Sequence, residues 1–448
     1  MNPAVSQDPY LRDRFFSAPS ADAAAVAAAV GRAAAAQPDW AARLVAERAF
    51  SLRAFADAVD ADAARLSDLL VREVGKRRSD ADGEVAWTAR SARFYADHPP
   101  AQERTAGARV VRRPIGVIAA ITPWNVPLVT PAWKWLPALV AGNAVVWKPS
   151  ERATATAVAA QELLHAAGIP EAVLQVLPGA AATAQALAAD ERVGAVHFTG
   201  SEAAGRTVAA LAAQHFARAA LELSGVNPAI VFADADLDLA ADCIVACGTA
   251  LAGQKCTATR RVLVDESVAE ELSARLAERI AALRVGDPRD PATDVGPLIG
   301  ADACAAAEAE VARAITAGAR VIARADAPAG ETLFAPVLLG TLRVGDPLRE
   351  RELFAPVLSL DTFTAPEQAW TLANATPYGL SAAVYSRDPA LLEAAAATVR
   401  AGVLAFNRRG DDVDLDAPFG GRGRSGNGQA EGGEYVYGAL TDLQAVYG

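Results

Sequence analysis

Between residues 20 and 70, apolar side chains recur at three- and four-residue spacing among alanines (Leu44, Phe50, Phe55, Val59, Leu66, Leu69, Leu70). That period predicts helix. His98-Pro99-Pro100 breaks it, and a basic, β-branched stretch over 108–114 follows. From residue 116 the pattern changes. Continuous apolar runs at 116–122, 143–148, 173–178 and 193–199 alternate with helical patterns at 127–140, 154–167, 181–189 and 201–214. Strands without polar alternation are buried on both faces, so the alternation predicts a parallel sheet covered by helices. It resumes after about residue 225, with strands at 229–232, 260–264, 336–339, 356–360, 382–386 and 402–406. Helices are expected there at 236–250, 268–284, 301–317, 366–373 and 388–399. The tail, 436–448, reads as strand. No Pro/Gly/Ser-rich linker separates the halves, so they are expected to pack closely.

Composition narrows the class. A chain of 448 residues holds two or three domains. A net charge of −11 argues against a phosphate-binding face, so no nucleic-acid partner is expected. Four cysteines cannot staple a chain of this length, which fits a reducing, cytoplasmic setting. Residues 1–16 lack a basic start followed by an apolar run, so no secretory leader is expected. The alanine runs are interrupted by charged and amide side chains, so no membrane span is expected either. With four histidines, a His-rich metal site is not expected.

Chemistry is sparse and local. Cys243 and Cys247 lie on a predicted helix, as does Cys304, and read as core. Cys256 follows Gly253-Gln254-Lys255 in a polar turn. It is either a nucleophile whose turn offers an amide to an oxyanion, or part of an ordinary turn. Glu222 closes an apolar strand, at the edge where open α/β sheets bind ligands. Buried there it would be a general base, and exposed it would be only a surface charge. Gly200-Ser201 follows a strand and opens a helix, with Ser201 as N-cap and free amides suited to a diphosphate. Lys148, Ser150 and Glu151 end another strand, where they can meet ribose hydroxyls. Pro123-Trp124-Asn125 ends a third, where the Asn125 amide could donate to an oxyanion. A formal GxGxxG at Gly421, Gly423 and Gly426 follows no strand and leaves no room for a βαβ unit, so it reads as coincidence.

In this order and spacing the set resembles the aldehyde dehydrogenase superfamily. It comprises Pro123-Trp124-Asn125, Lys148-Pro149-Ser150-Glu151, Phe198-Thr199-Gly200-Ser201, Glu222-Leu223-Ser224-Gly225 and Gly253-Gln254-Lys255-Cys256. Glu352-Leu353-Phe354, Asn374 with Tyr378-Gly379-Leu380, and Pro418-Phe419-Gly420-Gly421 complete it. The resemblance covers about residues 20–448. It implies an α/β fold with a Rossmann-like NAD-binding domain (1–98 and 116–224) and an α/β catalytic domain (225–430). A small β oligomerisation flap (99–115 and 431–448) would join copies into a homodimer or homotetramer. It further implies NAD-dependent oxidation of a small aldehyde to its acid, with NADP as the alternative cofactor and no metal. Cys256 matches the nucleophile, Asn125 the oxyanion donor and Glu222 the base that activates water. Lys134 matches a lysine near that base. Lys148, Ser150 and Glu151 match the adenosine-ribose side, Gly200 and Ser201 the diphosphate, and Glu352 and Phe354 the nicotinamide-side ribose. Glu151 favours NAD, because a carboxylate accepts from a 2′-hydroxyl and repels a 2′-phosphate.

The sequence also departs from the family pattern. Ser224 stands for a glycine, Val226 for a lysine, Arg351 for an acid and Ala355 for a glycine. A second relay glutamate aligns with Ala430, and Glu431 stands beside it, so the substitution is left open. The alternatives are a CoA-acylating enzyme, against which Glu222 argues, a silent binding protein of the same fold, and a thiol esterase. Substrate choice falls to the charged segment between Asn407 and Pro418. There Arg408 or Arg409 would either hold a substrate carboxylate or stay solvated. An aromatic content of 6% gives no support for an aromatic substrate cage.

Overall fold

The computed structural model describes residues 3–105 and 107–447. Its first sheet contains β1 (Val117–Ile121), β2 (Ala144–Lys148), β3 (Leu174–Val176), β4 (Val193–Thr199) and β5 (Arg218–Glu222). The order is β3-β2-β1-β4-β5, and every pair is parallel. Strand order therefore reverses between β1 and β4, which opens a crevice at their carboxyl ends. β1 and β2 are buried at every position, as their unbroken apolar runs require. Helices Ala23–Ala42, Val129–Ala141, Thr154–Ala166 and Glu202–Ala213 lie beside this sheet, and their apolar faces join it in one core.

The second sheet holds β6 (Asn227–Val231), β7 (Thr259–Asp265), β8 (Arg320–Arg324), β9 (Val337–Gly340), β10 (Val357–Phe363), β11 (Ser381–Tyr385) and β12 (Val403–Phe406). Its order is β8-β9-β10-β7-β6-β11-β12, parallel except for the β8–β9 pair. Two apolar clusters fill it, one around Leu272, Leu276 and Leu338 and one around Phe232, Phe363 and Trp370.

Three features lie outside the expected pattern. The region 20–70 is not one helix but Ala23–Ala42, Val45–Ala61 and most of Ala63–Val74, because Arg43, Leu44 and Asp62 leave helical geometry. An antiparallel hairpin, Ala4–Gln7 with Arg14–Ala18, and the edge strand β8 carry no strong apolar run. The tail is strand only from Thr441 to Val446. Before it, Val436, Tyr437 and Leu440 turn inward on short helical turns and enter the first core, a three- to four-residue spacing that helix satisfies and strand does not. Thr441–Val446 pairs antiparallel with Arg109–Pro114, which pairs with Glu103–Arg104, forming a separate three-stranded flap.

Candidate active site

The sheets bring the singled-out residues to one place. Asn125 follows β1, Gly200 and Ser201 follow β4, and Glu222 ends β5, all at carboxyl ends. Cys256 arrives from the second sheet, in the turn before β7. These residues, with Glu352 and Phe354, line one cavity of about 750 Å³. Lys148, Ser150 and Glu151 lie at the end of β2, outside its lining.

The turn carrying Cys256 is unusual backbone. After helix Leu237–Thr249, Leu251, Ala252 and Gly253 take φ values of 51°, 55° and 71°. Left-handed geometry at non-glycine residues costs about 1–3 kcal/mol each, so the surroundings must impose it. Gln254 does so by donating from Nε2 to the Leu251 carbonyl (3.0 Å) and accepting at Oε1 from the Ile299 amide (2.8 Å). The Arg260 guanidinium donates to the carbonyls of Gly253 and Ala355. Gly253 cannot be replaced, because a Cβ would fall 2.4 Å from backbone atoms of Ala355 and Pro356.

Asn125 is buried, and its Nδ2 donates to the Gln254 carbonyl (2.9 Å), which ties the β1 loop to the cysteine turn. Asn227 Nδ2 donates to the carbonyl of Cys256 (2.8 Å). Cys256 as a residue is half-buried. Its surroundings push its pKa up to about 12, chiefly by desolvation and then by the nearby carboxylates of Glu222 and Glu352. Lys255 acts in the opposite direction.

Glu222 is buried. Its Oε1 accepts from the Gly421 amide (3.2 Å), and its Oε2 has no hydrogen-bond partner among the described residues. Desolvation, reinforced by Glu431, raises this carboxyl well above the usual range, and Lys134 opposes the shift. Lys134 is fully buried and forms its ion pair with Glu431, not with Glu222. Glu431, and not Ala430, supplies the side chain that meets Lys134. It is held there by paired backbone hydrogen bonds with Phe419, 2.6 Å each way.

The residues expected on the cofactor side stand at the carboxyl ends of β2 and β4 and at 352–354. Ser201 caps helix Glu202–Ala213, its Oγ accepting from the Ala204 amide (3.4 Å), and that helix starts just past the carboxyl end of β4. A Cβ at Gly205 would sit 2.5 Å from Leu223, so glycine lets the helix approach β5 closely. The Lys148 amine is nearly buried, with Glu151 at 4.0 Å, and burial lowers its pKa. Ser150 Oγ accepts from the Arg152 amide (3.3 Å). Thr199 Oγ1 is buried and unpartnered beside the cavity. Glu352 accepts from the Gly225 amide (3.4 Å); burial raises its pKa, and Arg260 and Ser224, one of the departures from the family pattern, oppose that shift. Phe354 packs edge-on against Trp124, with ring centroids 5.6 Å apart.

Other expectations resolve differently. Cys243, Cys247 and Cys304 are buried, as read. Arg408 does not line the cavity. It pairs outward with Asp412 and Asp414, whereas Arg409 lines the wall. The overall aromatic content does not map the cavity, which Trp87, Trp124, Trp133, Phe354 and Phe419 all line. Sequence reasoning also missed Lys76 and Glu84, a buried ion pair on the cavity wall. Glu84 accepts from the amides of Leu128 (2.8 Å) and Val129 (3.1 Å), and so caps the helix that carries Lys134. A carboxylate ahead of a distant helix start leaves no local signal.

Comparison with known proteins agrees with this geometry. Residues 3–446 match the aldehyde dehydrogenase family model. A succinate-semialdehyde dehydrogenase of Paenarthrobacter nicotinovorans is 36% identical over 433 residues, 94% of this chain and 95% of that protein. An N-succinylglutamate 5-semialdehyde dehydrogenase of Caulobacter vibrioides is 38% identical over 438 residues, 94% of this chain and 92% of that protein. The crystal structure of PnpE in complex with nicotinamide adenine dinucleotide superposes with a TM-score of 0.95 at 32% identity, covering 100% of this chain and 94% of that one. The chain belongs to the aldehyde dehydrogenase family.

Proposed function

We propose that this NAD(P)-dependent aldehyde dehydrogenase oxidises a carboxylated aldehyde to its acid through a covalent cysteine intermediate. The observation that carries the reading is the convergence of Cys256, Asn125 and Glu222 on one cavity that also reaches Gly200 and Ser201. The Cys256 thiolate attacks the aldehyde carbon, and the resulting oxyanion takes hydrogen bonds from Asn125 Nδ2 and the Cys256 amide. Bound NAD supplies the hydride acceptor. Cys256 then carries a thioester. Glu222 removes a proton from water, the hydroxide attacks the thioester, and the acid leaves as the thiol is restored. The raised pKa of Glu222 suits this step, since burial makes its carboxylate a stronger base toward water. Lys134 and Glu431 pass that proton onward.

Lys148, Ser150 and Glu151 hold the adenosine ribose, Gly200 and Ser201 the diphosphate, and Glu352 and Phe354 the nicotinamide side. Glu151 makes NAD the preferred cofactor. The work divides between an NAD-binding domain (1–98 and 116–224), a catalytic domain (225–430) and a flap (99–115 and 431–448). The flap joins a homodimer or homotetramer, and the exposed Leu443 on its edge strand supports that role. Cysteines that are all free, and the lack among the described residues of any helix long and apolar enough to cross a membrane, support a cytoplasmic setting.

The test is NADH formation with aliphatic, aromatic, amino and carboxylated aldehydes, comparing wild type with Cys256→Ala. The expected result is turnover in wild type, faster with NAD than with NADP, and none in the variant. Turnover that survives Cys256→Ala would overturn the cysteine mechanism. An acyl-CoA product outpacing the free acid would reassign the second half-reaction.

A further inference from the structure

Most charges on the cavity wall are already answered. Glu84 is paired with Lys76, Glu431 with Lys134, Asp80 with Arg77 and Asp412 with Arg408. Glu222 and Glu352 have no ion-pair partner among the described residues, and one cluster carries an excess of cations. Asp411 is buried, with 1% of its side chain exposed, and receives two cations. Lys255 Nζ lies 2.7 Å from Asp411 Oδ2. Arg409 grips the same carboxylate in fork geometry, at 2.8 Å from Nε to Oδ1 and 2.8 Å from Nη2 to Oδ2. The cluster therefore carries one net positive charge. Both cations remain accessible, with 29% of the Lys255 side chain and 38% of the Arg409 side chain exposed, and both line the cavity.

The donors are not used up. Among the described residues, Lys255 and Arg409 make no side-chain hydrogen bond except to Asp411. That leaves two N–H groups on Lys255 and the Nη1 side of Arg409. Lys255 directly precedes Cys256, so this charge belongs to the same turn as the reacting sulfur. The aromatic side chains of Trp87, Trp133 and Phe419 line other parts of the cavity and suit a short carbon chain.

We propose that Lys255 and Arg409, oriented by Asp411, form the anion-binding end of the substrate tunnel and select aldehydes that carry a carboxylate a few carbons from the carbonyl. The inference rests on Cys256 as the attacking residue. It assigns the specificity to Arg409 and Lys255 and excludes Arg408, whose side chain faces its own acidic neighbours. Asp411 is a positioning residue. It holds both cations still and keeps the cluster from repelling itself apart.

The test compares kcat/KM for succinic semialdehyde and for butanal, an uncharged aldehyde of equal chain length, in wild type, Lys255→Met and Arg409→Gln. A charge-assisted hydrogen bond contributes enough that the charged-to-uncharged ratio should fall about tenfold or more in each variant. In wild type, rising salt should raise KM for the semialdehyde and leave butanal unaffected. If the cluster were only a latch holding the 408–416 segment, both substrates would suffer alike, and an unchanged ratio would overturn the proposal. A wild type that prefers butanal would also overturn it. No turnover of either aldehyde would instead defeat the dehydrogenase reading on which it stands. Should Lys255→Met fail to fold, the more exposed Arg409→Gln carries the test.

Discussion

Glu222, the proposed base, is a carboxyl whose surroundings oppose its charge. A carboxyl at the end of an apolar strand, with one oxygen unpaired, resists ionisation, and the neighbouring Glu431 adds to the cost. Lys134 returns part of it. The base form of Glu222 therefore fills only as pH rises above the ordinary carboxylate range, and the thioester-hydrolysis rate should rise with it. Glu222→Gln should retain a first-turnover burst of NADH while kcat falls by about 10²–10⁴. Rapid-mixing kinetics read both quantities, and a burst lost in proportion to kcat would remove Glu222 from the second half-reaction. The same shift has a sign for stability. A raised folded pKa stabilises fully below the unfolded pKa and loses that contribution as pH climbs through the folded value. The melting temperature of Glu222→Gln should thus gain on wild type as pH rises.

At the scale of elements, the site depends on how two loops and one helix are anchored. The cysteine turn is held in left-handed geometry by Gln254 and Arg260, and the β1 loop is tied to it through Asn125. Helix Val129–Ala141 brings Lys134 to Glu431, and its start is capped by Glu84 from helix Arg78–Asp97. Glu84→Ala would leave Lys76 buried without its counter-charge and two amides uncapped. Losing one partner of a buried pair costs about 3–5 kcal/mol, so urea denaturation should show a loss of that order, accompanied by lower kcat. Unchanged stability would mean that the cap is not what anchors the helix.

At the scale of the whole molecule, the flap is the least self-sufficient part. Its three strands form a small sheet apart from the two large ones, and its edge strand exposes Leu443 with 63% of its surface open. An open edge with an apolar side chain is a pairing surface unless something covers it. Wild type should therefore sediment as a dimer or larger, and Leu443→Asp should shift the distribution toward smaller species. A monomeric wild type would leave the flap without the proposed role.

The sequence by itself determined the alternating α/β plan and the places where its chemistry would lie. Continuous apolar strands report burial on both faces, and a parallel sheet puts the loops after Ile121, Thr199 and Glu222 at one edge. Asn125, Ser201 and Glu222 stand at those ends, but their local patterns, like that of Cys256, left plain readings open, and only the ordered set of motifs implied their roles. The tertiary structure decided what local order does not encode. It placed Glu431, rather than Ala430, against Lys134, through the backbone pairing with Phe419. It turned Arg409 toward the cavity and Arg408 away, and it gathered five aromatic side chains from distant segments around that cavity. The edge strand β8 and the inward helical turns at Val436–Leu440 were likewise settled by packing. In loops, a side chain's direction follows from contacts made far along the chain, and only folding brings those contacts together.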